Sequence, residues 1–289
     1  EIVTKAISYT NHTLLPEALE KWDLKLFKNL LPRHLEIIYE INSRFLQTVR
    51  LKYPGDDEIL GKLSIIDESG NKSIRMAHLA TVGSHHVNGV AALHSELVKS
   101  QLMPEFYDLW PHKFTNVTNG VTPRRWVSSS IGELLDEYVS PDWITNMESL
   151  KKLEENQYDV ELLEKIGETK LLGKHHLAVY IQDTLGLTVN PASMFDVQVK
   201  RIHEYKRQHL KALEVIIQYL RIKHGKTDNI VPRTIIFGGK AAPGYYMAKL
   251  IIKFICNIAE VVNNDPDTRD LLKVIFLPNY SVKLGEKVY

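Results

Sequence analysis

Apolar residues recur at helical spacing through the first part of the chain. Leu31, Leu35, Ile38, Tyr39, Ile41, Phe45 and Leu46 keep that period, so residues 16–52 are expected to be helical. Pro16 suits a first turn, Pro32 divides the run into two helices, and Tyr53-Pro54-Gly55 ends the second. A short helix is expected near Ile59–Leu63, and Ile74–Val82 is apolar and compact. Gly83 and Ser84 introduce a helix expected over His86–Ser100, and Leu102–Trp110 reads as another, closed by Pro111.

The pattern changes around Pro111–Pro123, where Val117, Asn119, Gly120 and Pro123 bring loop chemistry. Helices are expected at 131–139 and 148–187, and the β-branched segment Phe195–Val199 reads as a strand. A helix over 205–224, a strand at Thr234–Phe237, helices at 243–264 and 267–271 and a strand at Lys273–Leu277 follow. This alternation over 190–280 argues a parallel sheet built from βα units, an α/β architecture with flanking helices. The domain boundary is expected near 111–122, giving a mostly helical segment 1–113 and an α/β segment 114–289.

Composition narrows this picture a little. At 289 residues, 44% hydrophobic and 25% charged, the chain can bury a sizeable core. Its net charge of +1 supplies no global field for nucleic acid, so an anion site must be a local cluster. No apolar run approaches the roughly 20 residues that span a bilayer. No partner of either kind is expected. The single Cys256 lies in an apolar run and is expected to be a buried structural thiol in a reducing compartment. The chain opens on Glu1 with no initiator Met and is expected to begin inside a longer protein.

The local cluster is Lys200-Arg201-Ile202-His203-Glu204-Tyr205-Lys206-Arg207, at an expected strand-to-helix junction. Open α/β sheets bind ligands beyond the carboxyl ends of their strands. Each cation at a helix start costs roughly 0.3–1 kcal/mol against the dipole, and the cations repel one another; a bound dianion reverses both effects. Arginine suits bidentate phosphate recognition and lysine acts as a point charge. The cluster therefore reads either as a phosphate cradle or as a solvated basic face that Lys211 continues. A second junction, Ile235–Tyr246, runs through Gly238, Gly239 and Gly244, either for close backbone approach or for packing alone. It lacks the GxGxxG dinucleotide pattern, and no P-loop, GxSxG or HExxH motif is present. The histidines do not fall in metal-ligand spacing, and the adjacent His85 and His86 are expected to point apart.

Eight stretches, in order along the whole chain, resemble α-glucan (glycogen/starch) phosphorylases. They are Thr10–Glu20, Pro32–Leu35, Met76–Leu79, Gly83–Val90, Thr118–Trp126, Phe195–Gln208, Gly238–Lys249 and Val274–Lys287. The resemblance implies a two-domain Rossmann-like fold of the GT-B type. It implies phosphorolysis of the non-reducing end of an α-1,4-glucan by orthophosphate, giving α-glucose 1-phosphate with retention. Pyridoxal phosphate is the implied cofactor, its phosphate acting in proton transfer. A cytoplasmic (in plants, plastid) homodimer is implied for the full-length protein, which in this family is allosteric.

By the same resemblance His12 and Asn119 hold the glucosyl 6-hydroxyl, and Arg201 and Lys206 bind the substrate and cofactor phosphates. Lys200 and Tyr205 line that pocket, Tyr280 lies beside the cofactor phosphate, and Tyr245 stands at the active-site mouth. Two positions depart from the family. Ser281 replaces the usual Arg, and His86 stands where a small residue is common. The family's Schiff-base lysine and its neighbouring glycine-rich loop are expected beyond Tyr289, and the effector sites before Glu1, so the isolated chain is expected to be inactive. A non-catalytic anion- or glucan-binding relative and a nucleotide-sugar glycosyltransferase are the alternatives.

Overall fold

A computed structural model of the protein describes residues 2–289, which divide into two compact units, one ending at Val121 and one spanning Thr122–Tyr289. The first begins with helix α1 (Ile2–Ala6) and strand β1 (Tyr9–Thr10). Strand β2 (Lys21–Asp23) and helices α2 (Leu24–Leu30), α3 (Pro32–Lys52) and α4 (Asp57–Leu63) follow, then β3 (Ile66–Asp67), β4 (Ser73–Arg75) and α5 (Met76–Val82). The unit closes with β5 (Val87–Gly89), α6 (Ala92–Leu97), α7 (Pro104–Leu109) and β6 (Phe114–Asn116).

Parallel strands in the order β1-β5-β6 form one small sheet, and antiparallel β2-β4-β3 forms another. Helix α3 serves both surroundings. Leu35 and Ile38 pack with Ile65, Ile66 and Ile74, while Phe45 and Val49 pack with Val87, Val98 and Phe106. Between these patches the buried Asn42 bonds to Ser64 Oγ at 3.1 Å and accepts the Ile65 N–H at 2.8 Å, satisfying a polar group that burial would otherwise penalise.

The second unit contains α8 (Pro123–Trp126), α9 (Ser129–Tyr138), α10 (Val160–Leu185) and β7 (Met194–Val199). It continues with α11 (Gln208–Lys223), β8 (Arg233–Gly238), α12 (Tyr246–Asn264), β9 (Leu272–Leu277) and α13 (Val282–Val288). Its sheet is parallel, in the order β7-β8-β9. Successive residues of β8 face opposite sides. Ile235 and Phe237 pack with Val215, Ile251 and Ile255 of α11 and α12; Ile236 packs with Leu177 and Ile181 of α10 and Leu284 of α13. Burial on both faces explains the uninterrupted apolar run Ile235-Ile236-Phe237.

Several elements differ from the sequence pattern. Residues 16–23 are not a continuous helix: a 3-10 turn at Pro16–Ala18 leads into β2, and Asp23 caps α2 by accepting the Leu26 N–H at 2.8 Å. The expected helix at His86 begins only at Ala92, because Val87–Gly89 is the middle strand between β1 and β6. The stretch 148–187 splits into a 3-10 segment, Met147–Asn156, and α10, which Asp159 caps through the Leu162 N–H. The helix expected at 267–271 is a 3-10 turn, Pro266–Thr268. The units divide after Val121, inside the range 111–122, and Phe114–Asn116 is an outer strand of the first unit's sheet. Cys256 is exposed, not buried: Ile255 takes the inward position on α12 and the next residue turns away by about 100°. His85 and His86 do not point apart, since their Nδ1 atoms lie 2.6 Å from each other. Among the described residues no helix is long and apolar enough to cross a membrane.

His78 on α5 gives the first unit a pH-dependent part. Its Nδ1 faces the carbonyls of Ser64 and Leu63 at 3.1 and 3.3 Å, and its ring stands edge-on to Phe106. Burial, helped by the Arg75 charge, pushes the imidazole down from 6.5 to about 4. The neutral ring is the folded form, so its contribution is complete above about 6.5 and is lost as pH falls toward 4. Chemical denaturation should therefore show roughly 3 kcal/mol lost from the first unit between pH 7.5 and pH 4 on account of this residue, a loss that His78→Gln abolishes.

Candidate active site

Strand β7 ends at Val199, and the basic segment begins one residue later. Backbone pairing with β8 persists past both strands: the Lys200 N–H donates to Gly238 O at 2.9 Å, and the Ile202 N–H donates to Lys240 O at 3.1 Å. The two βα loops thus run side by side. A Cβ on Gly239 would lie 2.1 Å from the Lys200 carbonyl oxygen and 2.9 Å from Ile202 Cδ1, so this position accepts no side chain. At Gly238 a Cβ would stand 3.0 Å from Val199 and 3.4 Å from Tyr280. Gly244 has open space around it and no such requirement.

The cations do not sit on the first turn of α11. Lys200–His203 is loop, Glu204–Lys206 is a 3-10 turn, and Arg207 takes the left-handed conformation (φ 58°) before Gln208 starts the helix. A left-handed non-glycine residue costs roughly 1–2 kcal/mol, a cost that the surrounding bonds must offset. Ile202 is buried beneath the loop, whereas Lys200, Arg201 and Arg207 are exposed and Lys206 is half-buried, 5.6 Å above the Tyr205 ring. The crowding of charge comes from this loop, and a helix dipole adds little to it.

Charge pairing separates the two readings of the basic run. Lys211 pairs with Asp196 and, at 3.0 Å, with Glu214, and Arg233 lies 3.1 Å from the same Asp196. Among the described residues, Lys200, Arg201, Lys206 and Arg207 form no ion pair. Glu204, the acid inside the cluster, accepts a hydrogen bond from the Tyr245 hydroxyl. Lys211 therefore belongs to a neutralised network, and the four cations ahead of it remain available to an anion.

Aromatic rings border the cluster. His203 lies between Tyr205 and Tyr245, with ring centroids 4.5 and 4.9 Å away. The Glu204 N–H donates to the Tyr245 oxygen at 3.3 Å. The Glu204 carboxylate, together with desolvation, raises the Tyr245 phenol above its ordinary value, so Tyr245 stays a neutral donor. Tyr280, in the loop after β9, packs beside Gly238, and burial raises its phenol as well. Ser281 caps α13, its Oγ accepting the Leu284 N–H at 3.5 Å, which gives this departure from the family a local structural role. Lys200, Arg201, Tyr205, Lys206, Tyr245 and Tyr280 thus gather on loops at the carboxyl edge of three adjacent parallel strands.

His12 and Asn119 lie in the first unit, past the carboxyl ends of the outer strands β1 and β6. Both are exposed; His12 borders a cavity of about 370 Å³ with Tyr9, Asn11, Glu20 and Met76. The Asn119 N–H donates to Val90 O at 2.9 Å, tying its loop to the end of β5. The buried Gln208 and the half-buried Gln198, which bond to the backbone of the basic loop, have no distinguishing signal in the sequence.

A parallel α/β sheet with unpaired cations at its carboxyl edge is an arrangement suited to phosphate-like anions. The chain belongs to the carbohydrate phosphorylase family, whose family model, Phosphorylase, matches residues 1–289. It is 58% identical to the glycogen phosphorylase of Synechocystis sp. over 291 residues, covering 100% of this chain and 34% of that protein. It is 53% identical to the glycogen phosphorylase of Chlamydia trachomatis (100% of this chain, 36% of the relative). Identity to the liver-form glycogen phosphorylase of Ovis aries is 52% (100% and 34%). The chain thus spans about a third of the length of the curated relatives it matches.

Gly239→Ala should displace the Lys200 carbonyl, and with it the basic loop. Hydrogen exchange of the amides at 200–203 should speed up by at least about tenfold, while amides in the middle of β8 keep their protection.

Proposed function

We propose that the full-length protein is an α-1,4-glucan phosphorylase. It cleaves the non-reducing end of glycogen, starch or maltodextrin with orthophosphate and releases α-glucose 1-phosphate with retention. One observation supports this above others: four cations without acidic partners on the loop leaving β7, in a chain whose relatives are glycogen phosphorylases. Arg201 presents a planar fork to one phosphate, and Lys206 adds a point charge between two. Fixed cations at this edge hold two mutually repelling phosphates close together and stabilise charge as the glycosidic bond breaks.

The donor set fits pyridoxal phosphate. Lys200, Lys206 and Tyr280 would hold its phosphate, and Tyr280, kept neutral by burial, can donate a hydrogen bond to it. When bound, this cofactor supplies a phosphate group that exchanges a proton beside the substrate phosphate. Tyr205 and Tyr245 wall the approach to the cluster, and His12 and Asn119 bind the glucosyl 6-hydroxyl. The two-domain GT-B arrangement, the homodimer and the cytoplasmic (or plastid) location belong to the same proposal.

The full-length protein should release glucose 1-phosphate from glycogen or starch only with orthophosphate and pyridoxal phosphate both present. Arg201→Ala should lower turnover by roughly 10²–10³-fold, the range seen when one preorganised charge-stabilising donor is removed. Undiminished activity after complete cofactor removal would refute the reading, as would use of UDP- or ADP-glucose as donor. The 289-residue chain alone should show no phosphorolysis, measured as glucose 1-phosphate formed.

A further inference from the structure

Gln208 is fully buried, with 0% of its surface exposed, among apolar core residues at the start of α11. An amide in that place is costly unless both its ends are bonded. Its Nε2 donates to the Arg201 carbonyl at 3.0 Å, and its Oε1 accepts the His203 N–H at 3.4 Å. The intervening Ile202 is buried, and its own N–H goes the other way, to Lys240 O. The loop is therefore held from two sides: Lys200 and Ile202 bond toward β8, Arg201 and His203 toward Gln208. Gln198, at the end of β7, performs the matching task further along, its Nε2 donating to the Lys206 carbonyl at 3.2 Å.

From this bracing we infer that Gln208 and Gln198 are positioning residues: their side-chain amides grip the backbone beneath Arg201 and Lys206 and so set the separation of the two phosphate-binding cations. The inference rests on the phosphate role proposed for those cations. No α-helix fixes them, because α11 begins only after the left-handed Arg207. Neither glutamine touches substrate. Each acts by keeping a charged side chain where the phosphate needs it, and displacements near 1 Å in such constellations are costly.

The test uses the full-length enzyme reconstituted with pyridoxal phosphate. Gln208→Met keeps the volume and removes both bonds, while Gln208→Glu keeps the acceptor for His203 and sets an oxygen against the Arg201 carbonyl. Both should raise KM for orthophosphate by roughly tenfold or more, with KM for glucan within about twofold of wild type. Gln198→Met, which frees only Lys206, should give a smaller rise, about threefold, in the same constant. Folded variants with wild-type KM for phosphate overturn the inference. So does an equal loss on both substrates that follows a lowered melting temperature, since that marks packing alone. Should the Gln208 variants fail to fold, Gln198→Met decides, and an unchanged phosphate KM there overturns it. A wild-type enzyme without phosphate-dependent turnover would instead defeat the phosphorylase reading, and so the two failures are distinguishable.

Discussion

The carbonyl oxygen of Lys200 stands where a side chain on residue 239 would have to begin, and the sheet edge of the second unit is built around that contact. Only a glycine there lets the loops after β7 and β8 lie against each other. The backbone ladder then extends past the sheet to Lys200 and Ile202, drawing Ile202 into the core. With Ile202 turned inward, Lys200 and Arg201 just before it stay exposed on the surface. The same junction packs Tyr280 against Gly238, so the third strand contributes to the same edge. Close backbone approach, rather than any single side-chain bond, makes this corner of the fold a site.

The charges at that edge owe their availability to how the neighbouring acids are used. Asp196 and Glu214 are engaged by Lys211 and Arg233, and Glu204 is engaged by the Tyr245 hydroxyl. Surface ion pairs contribute little stability on their own, about 0–1 kcal/mol. Their effect here is distributional: Asp196 and Glu214 are paired with cations outside the basic loop, and Glu204, within it, bonds to Tyr245 and to none of the four cations. An anion arriving at the loop meets cations that, among the described residues, form no ion pair, and the polar backbone beneath them is already bonded by two glutamines.

Much of the second unit was legible in the chain. The β-branched run at Phe195–Val199 and the apolar run through Ile235–Phe237 become neighbouring strands, and the βα order predicts their parallel sheet. The first unit was less legible. Val87-Asn88-Gly89 looks like the opening of a helix and is a strand, because its hydrogen-bonding partners, at Tyr9 and Phe114, are remote in sequence. Cys256 sits in an apolar run, but helical rotation places Ile255 inward and the thiol outward.

By itself the sequence determined which chemistry is present: a dense set of cations beside a strand end, glycines at the next junction, and the motifs of a carbohydrate phosphorylase. Residue type and order are enough for that, since charge and the absence of a side chain are local properties. Tertiary structure decided which cations are free, that Lys211 is not among them, and that Glu204 is held by Tyr245. It also decided that the cluster lies on a braced loop ahead of α11 instead of on the helix. Those outcomes depend on partners such as Asp196, Gln208, Gly239 and Tyr245, whose approach to the loop arises only when the strands align and the chain closes on itself.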